Sequence, residues 1–273
     1  MGMPETIASG IPTGDWMMNN YLSIPMPARR VNLIFGVLIV AAWVLLVLWQ
    51  RSPYAEMLGH ETLGEHHISF PLKLSGFLVS WLLMTVAMML PGSMPILIRS
   101  AQPTGQPARD FRFVAWIVLG YLSPWVLFGL LAFLGDSVLH DLTETGGPLA
   151  GFSRWIAPSI VLAAGLYQFT SIKWRFTQLC QTSHGMHIRM EMKGTAHALR
   201  EGVKLGLFCV GSCWSLMLLI FALGHHRLDW MLVMGIIFAG ERRTPWGQKL
   251  AWLVGFILLV WASFWLLNGV FQG

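Results

Sequence analysis

Residues 31–49 read VNLIFGVLIVAAWVLLVLW, a stretch without one ionisable side chain. A helix that crosses the hydrocarbon core of a bilayer needs roughly 20 mostly apolar residues. The whole chain has the same character, because 55% of its 273 residues are hydrophobic and only 11% are charged. A soluble domain typically has about 25% charged residues. The composition therefore predicts an all-α integral membrane protein that lipid covers over most of its surface.

Seven segments are candidates for membrane spans, six of them clear and one short. The short one, 228–240, has Asp229 near its start, and Pro91 and Pro95 predict a kink or a break in the second span. We expect a bundle of about seven transmembrane helices over 31–270 as a single domain, preceded by an arm at 1–30. The predicted spans are 31–49, 74–98, 111–135, 155–172, 203–224, 228–240 and 249–270.

The basic residues predict the orientation of this bundle. With seven spans and a cytoplasmic N-terminus, the outer segments hold only Arg51, Lys73, Arg154 and Arg227, so 14 of the 18 Lys and Arg residues lie inside. Cytoplasmic loops of membrane proteins carry such an excess. The C-terminus is then outside, and 173–202 is a cytoplasmic loop. The net charge of +5 is explained by this orientation, so we expect the lipid bilayer and no nucleic acid as partner.

Sulfur side chains recur at helical spacing inside two of the spans. Cys209 and Cys213 are four residues apart and share a helix face, as do Met84 and Met88 on the second span. Soft sulfur ligands in an apolar interior suit Cu(I). The alternative is that free Cys and Met fill the core as ordinary apolar side chains.

Imidazole and carboxylate groups collect in the three loops that are predicted to lie outside. His66 and His67 are in the first of these loops, and His226 is in the third. Imidazole with carboxylate suits Cu(II), Zn or Fe, so these three histidines are candidate metal ligands. The alternative is that they are simply polar loop residues, since no pair has the spacing of a His-Glu-x-x-His motif.

Several segments, in matching order over about residues 75–265, resemble one known family. It is the prokaryotic family of predicted metal-binding integral membrane proteins, whose function is unknown. The Cys-x-Gly-x-Cys-Trp stretch at 209–214 is the most specific part. The resemblance implies a metal-related role and the bacterial inner membrane. The segments are Trp81–Pro91, Tyr167–Thr170 with Lys173, Gly206–Met217, and Trp230-Met231 with Glu241–Pro245.

The chain departs from that family's pattern at positions that could bind metal. Phe176 stands where the family has a cysteine, and Ser212-Cys213 replaces an adjacent cysteine pair. A His-Gly pair is Leu205-Gly206 here, and a Met-Asn pair is His226-Arg227. These replacements reduce the set of ligands that the resemblance implies.

Three hypotheses for function follow from these residues. The first is a metal-handling membrane protein, with copper as the metal, in which the outer histidines capture the ion and the Cys and Met side chains pass or store it. The alternative is a non-catalytic accessory subunit of a larger membrane complex. The third, a metal-dependent membrane enzyme, is disfavoured because the sequence pairs no general acid and base near mid-membrane.

Overall fold

The computed structural model describes residues 26–51, 69–100, 107–143, 153–182, 194–222 and 228–271. Within these ranges the regular structure is entirely helical, as the composition predicts. The helices are α1 Met26–Gln50, α2 Phe70–Ser100, α3 Pro107–Thr143, α4 Ser153–Tyr167, α5 Ser171–Thr182, α6 Thr195–Ala222, α7 Leu228–Arg243 and α8 Gly247–Phe271.

Five of these helices are long and apolar enough to cross a membrane, namely α1, α2, α3, α6 and α8. Helices α4 and α5 pass the same test only as a pair bent by 66°, so the described residues contain up to six spans. Helix α7 has 16 residues, which is short for a crossing. The expected count of seven spans and the cytoplasmic N-terminus therefore stay predictions.

The span expected at 155–172 is interrupted between α4 and α5. The backbone amides of Gln168, Phe169 and Thr170 bond to carbonyls three residues back, at 3.2, 3.2 and 3.0 Å, which tightens and ends α4. Thr170 then caps α5, because its hydroxyl oxygen accepts a hydrogen bond from the backbone N–H of Lys173 at 3.3 Å. The segment expected as a loop, 173–202, consequently includes α5 and the first turns of α6.

Glycine brings α3 and α6 into backbone contact. A side chain at Gly202 would collide with the carbonyl oxygen of Ile117, and one at Gly206 would collide with that of Tyr121. Gly202 and Gly206 are four residues apart, the spacing that lets two membrane helices approach closely. This close contact sets the register of α6, the helix that carries both candidate cysteines.

Helix α2 packs against α3 through buried tryptophans. The indole N–H of Trp81 donates to the backbone carbonyl of Trp125 at 3.0 Å. The Trp81 ring occupies the space that a side chain at Gly129 would need. This contact holds α2 beside α3.

Helix α2 does not break at its prolines but continues to Ser100. Pro95 has no backbone N–H, so it leaves the carbonyl of Pro91 without its helical donor. The guanidinium of Arg243 donates to that carbonyl instead. A side chain from α7 thus replaces the missing hydrogen bond, which is how prolines are tolerated within membrane helices.

The outside of the bundle is apolar. Val37 of α1 and Phe256 and Phe264 of α8 are 65%, 62% and 61% exposed. Side chains of this kind on the surface of a helical bundle match a lipid environment. Helix α1 contributes Phe35 and Leu46 to the core, and most of its remaining described surface is exposed. The functional candidates therefore lie between α2, α3, α5, α6 and α7.

Candidate metal centre

The two candidate cysteines lie together in the core, as their spacing predicts. Cys209 and Cys213 are 0% and 2% exposed on the inner face of α6. The thiol of Cys213 donates to the backbone carbonyl of Cys209 at 2.8 Å, a hydrogen bond across one helical turn. Neither forms a disulfide. Two free thiols therefore face the same interior point.

A third sulfur comes from α2. The thioether Sδ of Met89 lies 3.6 Å from the Sγ of Cys213. The sequence pattern points to Met84 and Met88, which are buried as well, but Met88 lies against Gly235 of α7. One residue rotates a helix by about 100°, so Met89 faces α6 where Met88 faces α7. The i, i+4 spacing identifies residues on one face of α2, but it does not tell which neighbouring helix that face contacts.

Arg242 of α7 reaches both thiols from the opposite side. Its Nη2 donates to Cys209 Sγ at 3.0 Å and to Cys213 Sγ at 3.4 Å. The same nitrogen donates to the Ser212 hydroxyl at 3.1 Å. Arg242 is only 8% exposed, and a side chain at Gly92 would crowd its Cδ at 3.2 Å. The charge pattern of the sequence predicts Arg242 as one of the cytoplasmic basic residues, whereas in the structure its guanidinium is buried against the thiols.

Hydroxyl groups complete the surroundings of Cys209. The Tyr121 hydroxyl lies 3.0 Å from Cys209 Sγ and 3.2 Å from the Ser93 hydroxyl. Ser93 in turn accepts a hydrogen bond from Nη1 of Arg242 at 3.4 Å. Tyr121 and Ser93 are fully buried. Helices α2, α3, α6 and α7 thus each place a polar or sulfur side chain on this centre.

The remaining cysteine of the chain lies close to the same arginine. Cys180 is 1% exposed on α5 and interacts electrostatically with Arg242 and Cys209. Phe176, one turn before it, occupies the space next to Gly211. All three cysteines of the chain are therefore free and buried, and Cys209 and Cys213 are the two that contact the guanidinium directly.

A second buried polar group adjoins this centre. Lys173 of α5 donates to both carboxylate oxygens of Glu241, at 2.9 and 2.8 Å, and also to the side-chain oxygen of Gln168. Lys173 and Glu241 are 3% and 4% exposed. They line a cavity of about 330 Å³ at the bend between α4 and α5. Glu241 and Arg242 are adjacent in sequence, so the last turn of α7 contributes to both groups.

The candidate histidines are not placed. His66, His67 and His226 lie outside the described residues, so the outer metal site stays a prediction. Among the side chains that are described, no three His, Cys, Asp or Glu residues group as a metal site. The Met89 thioether is therefore the side chain that can serve a metal at the thiols as a third ligand.

The donor set fits monovalent copper. Thiolate and thioether sulfurs select Cu(I), Zn and iron–sulfur clusters among biological metals. Structural Zn sites take four N, S or O ligands, and iron–sulfur clusters take Cys thiolates, so a set of two Cys and one Met resembles neither. Cys209, Cys213 and Met89 can thus hold Cu(I) in a buried site.

Residues 78–265 match the family model PpoB2, which is described as a copper chaperone. The chain belongs to this copper chaperone family. The match covers more than half of the chain and includes Cys209, Cys213, Met89 and Arg242. Membership in the copper chaperone family agrees with the metal-related character that the resemblance implies, while the specific family named there stays a prediction. No curated protein and no solved structure is significantly similar to the chain.

Proposed function

We propose that this chain binds Cu(I) as cargo inside a membrane helix bundle and passes it on. Cys209, Cys213 and Met89 are the ligands, and Arg242 is the counter-ion. One observation carries the proposal: the guanidinium of Arg242 lies within 3.4 Å of both thiols, which also have a thioether beside them. Membership in a copper chaperone family supports copper as the metal.

Charge balance favours Cu(I) over a divalent ion in this site. A buried charge is costly unless an opposite charge compensates it. Cu(I) with two thiolates carries one negative charge, which the always-protonated guanidinium of Arg242 neutralises. A zinc ion with the same two thiolates would be neutral and would leave the arginine charge uncompensated. The total charge is therefore zero only for a monovalent metal.

We also propose a location and an orientation for the chain. The apolar exterior supports insertion in a bilayer, and the family resemblance supports the bacterial inner membrane. We propose seven spans with a cytoplasmic N-terminus, with His66, His67 and His226 capturing copper outside. The cavity beside Lys173 and Glu241 would then lie toward the cytoplasm, near the thiol site.

Copper binding by full-length protein in detergent tests the site. Protein loaded with Cu(I) under nitrogen and desalted should retain about one copper per chain, with only sulfur neighbours in the copper X-ray absorption spectrum. The variant Cys209→Ser/Cys213→Ser should retain none. Cys180→Ser is the matched control, because it removes the third buried cysteine and leaves the pair intact. Copper retained by the double variant, or lost from the control, would contradict the assignment.

A second candidate is an accessory subunit that works without copper, within a larger membrane complex. The observation that favours it is Phe176, whose ring fills the space beside Gly211 at a position where the resembled family has a cysteine. Purification in mild detergent distinguishes the two functions. Other membrane subunits at a fixed ratio, together with no copper after loading, would support the accessory subunit instead.

A further inference from the structure

Methionines from three helices line the core on one side of the thiol site. All are at most 5% exposed and belong to a single buried cluster. They extend beyond the three ligands of the proposed site. We name them the thioether ladder; its members are Met84 and Met88 of α2, Met217 of α6, and Met231 and Met234 of α7.

Contacts between α2 and α7 place four of these methionines in register. Met88 lies beside Gly235, 3.9 Å from where a side chain there would begin, and Gly92 lies beside Arg242. Both helices therefore advance in the same direction. Met84 of α2 and Met231 of α7 are each four residues before the contact between Met88 and Gly235. They therefore lie at the same level and on the same helix faces, since i and i+4 positions share a face.

Helix α6 runs the opposite way beside α2. Met89 contacts Cys213, whereas Ser93 meets Cys209 through the Tyr121 hydroxyl. Residue numbers therefore increase along α2 in the direction in which they decrease along α6, so the two helices are antiparallel. Met217, one turn beyond Cys213, consequently lies on the same side of the thiol site as Met84. Buried methionines on three helices thus lie at levels that extend in one direction away from the thiols.

We infer that the thioether ladder is the route by which Cu(I) reaches the thiol site, a step that rests on the proposed function. Met231 is within one turn of Leu228, where α7 begins, so the ladder extends from the thiols almost to that end of the bundle. Thioethers are soft, neutral and flexible ligands. Each step between thioethers forms one copper–sulfur bond as another breaks, with no electron or proton transferred. In the final step the thioethers are exchanged for the sulfurs of Cys209 and Cys213; each thiol releases its proton to solvent as its copper–sulfur bond forms, and the negative charge of the resulting thiolates makes binding there strongest.

The ladder explains why methionine occupies these positions where leucine would fill the volume. A packing role requires only an apolar side chain of similar size, and leucine replaces methionine in cores at small cost. A role in the transfer of Cu(I) requires the sulfur atom itself. Replacing Met by Leu therefore separates the two roles.

The test compares the rate of copper loading with the final affinity of the site. The variant Met84→Leu/Met88→Leu/Met231→Leu, purified as full-length protein in detergent, is mixed with chelator-buffered Cu(I) under nitrogen. The growth of copper–thiolate ultraviolet absorption should be slower by about tenfold or more, while copper stoichiometry and the equilibrium dissociation constant stay unchanged. Met94→Leu is the control, because Met94 lies on α2 beyond Met89, on the other side of the thiol site.

The outcomes separate the two proposals. A triple variant that loads at the wild-type rate would overturn the ladder and leave the thiol site standing. Wild-type protein that takes up no copper would overturn both. If the triple variant does not fold, as judged by circular dichroism and gel filtration, Met231→Leu alone serves, with a smaller slowing expected. A loss of affinity with an unchanged rate would also overturn the ladder.

Discussion

Glu241 and Arg242 are adjacent on α7, but their two buried charges have different surroundings. Glu241 receives two hydrogen bonds from Lys173, an ammonium group that balances its charge completely. Arg242 donates to two thiols and two hydroxyls, which are neutral until a proton leaves. The first group is an ion pair complete in itself. The second is an arginine beside thiols whose charge can change.

We therefore assign a structural role to the Lys173–Glu241 pair and a metal-binding role to Arg242. A complete ion pair gains nothing from a metal and holds α5 against α7 at the bend. An arginine beside two thiols can neutralise the negative charge that a monovalent metal with two thiolates would carry.

Breaking the ion pair should lower stability and leave copper binding intact. Lys173→Met leaves the Glu241 carboxylate buried without its cation, which costs about 3–5 kcal/mol in the free energy of unfolding. The double variant Lys173→Met/Glu241→Met removes both charges and should recover most of that loss. Unfolding by sodium dodecyl sulfate in mixed micelles measures the stability. Loss of copper from the folded double variant would show that the pair also serves the metal site.

Removing the buried arginine should instead weaken copper binding and leave stability largely intact. Arg242→Gln loses the charge that stabilises the thiolates, so Cu(I) affinity should fall by about 1.5–3 kcal/mol, or more than tenfold. Arg242→Lys keeps the charge and should retain more affinity. The control is Arg243→Gln, since Arg243 is exposed and donates to the Pro91 carbonyl. Competition with a Cu(I) chelator measures the affinity; equal values for both Gln variants would contradict the role of Arg242.

Methionine substitutions sharpen the boundary of the thiol site. Met89→Leu removes the third ligand and should weaken equilibrium copper binding by about tenfold, or ~1.4 kcal/mol. Met88→Leu is its neighbour on α2 and should leave the equilibrium constant unchanged, because Met88 faces α7. The same chelator competition decides between them. If Met88→Leu weakens binding as much as Met89→Leu, the register between α2 and α6 is wrong.

The smallest effect is expected at the tyrosine. Tyr121→Phe removes a hydrogen bond to Cys209 and should cost about 1 kcal/mol of copper affinity, less than tenfold. Tyr167→Phe is the matched control, since Tyr167 also bonds to α6 but through the Gly211 carbonyl, at 2.5 Å. An equal loss in both variants would indicate that general loosening of α6, and not the hydroxyl at the sulfur, weakens binding.

The local sequence by itself indicates the lipid environment and the helical segments of this protein. The low charge content and the long apolar runs predict a helical membrane protein, and five helices pass that test. The spacing of Cys209 and Cys213 places both thiols on one face of a helix, because helical periodicity acts within a single segment. The break at residues 168–170 was missed, since a capping threonine inside an apolar stretch gives only a weak local signal.

Packing between the helices determines which side chains meet the thiols. Met89 contacts Cys213 where the pattern favours Met88, and Arg242 is buried where its position suggests a loop charge. Both outcomes depend on how α2, α6 and α7 are shifted and rotated against one another. Glycines that let backbones touch contribute to that arrangement, as at Gly202. Periodicity describes each helix alone, and the contacts between helices are set by packing.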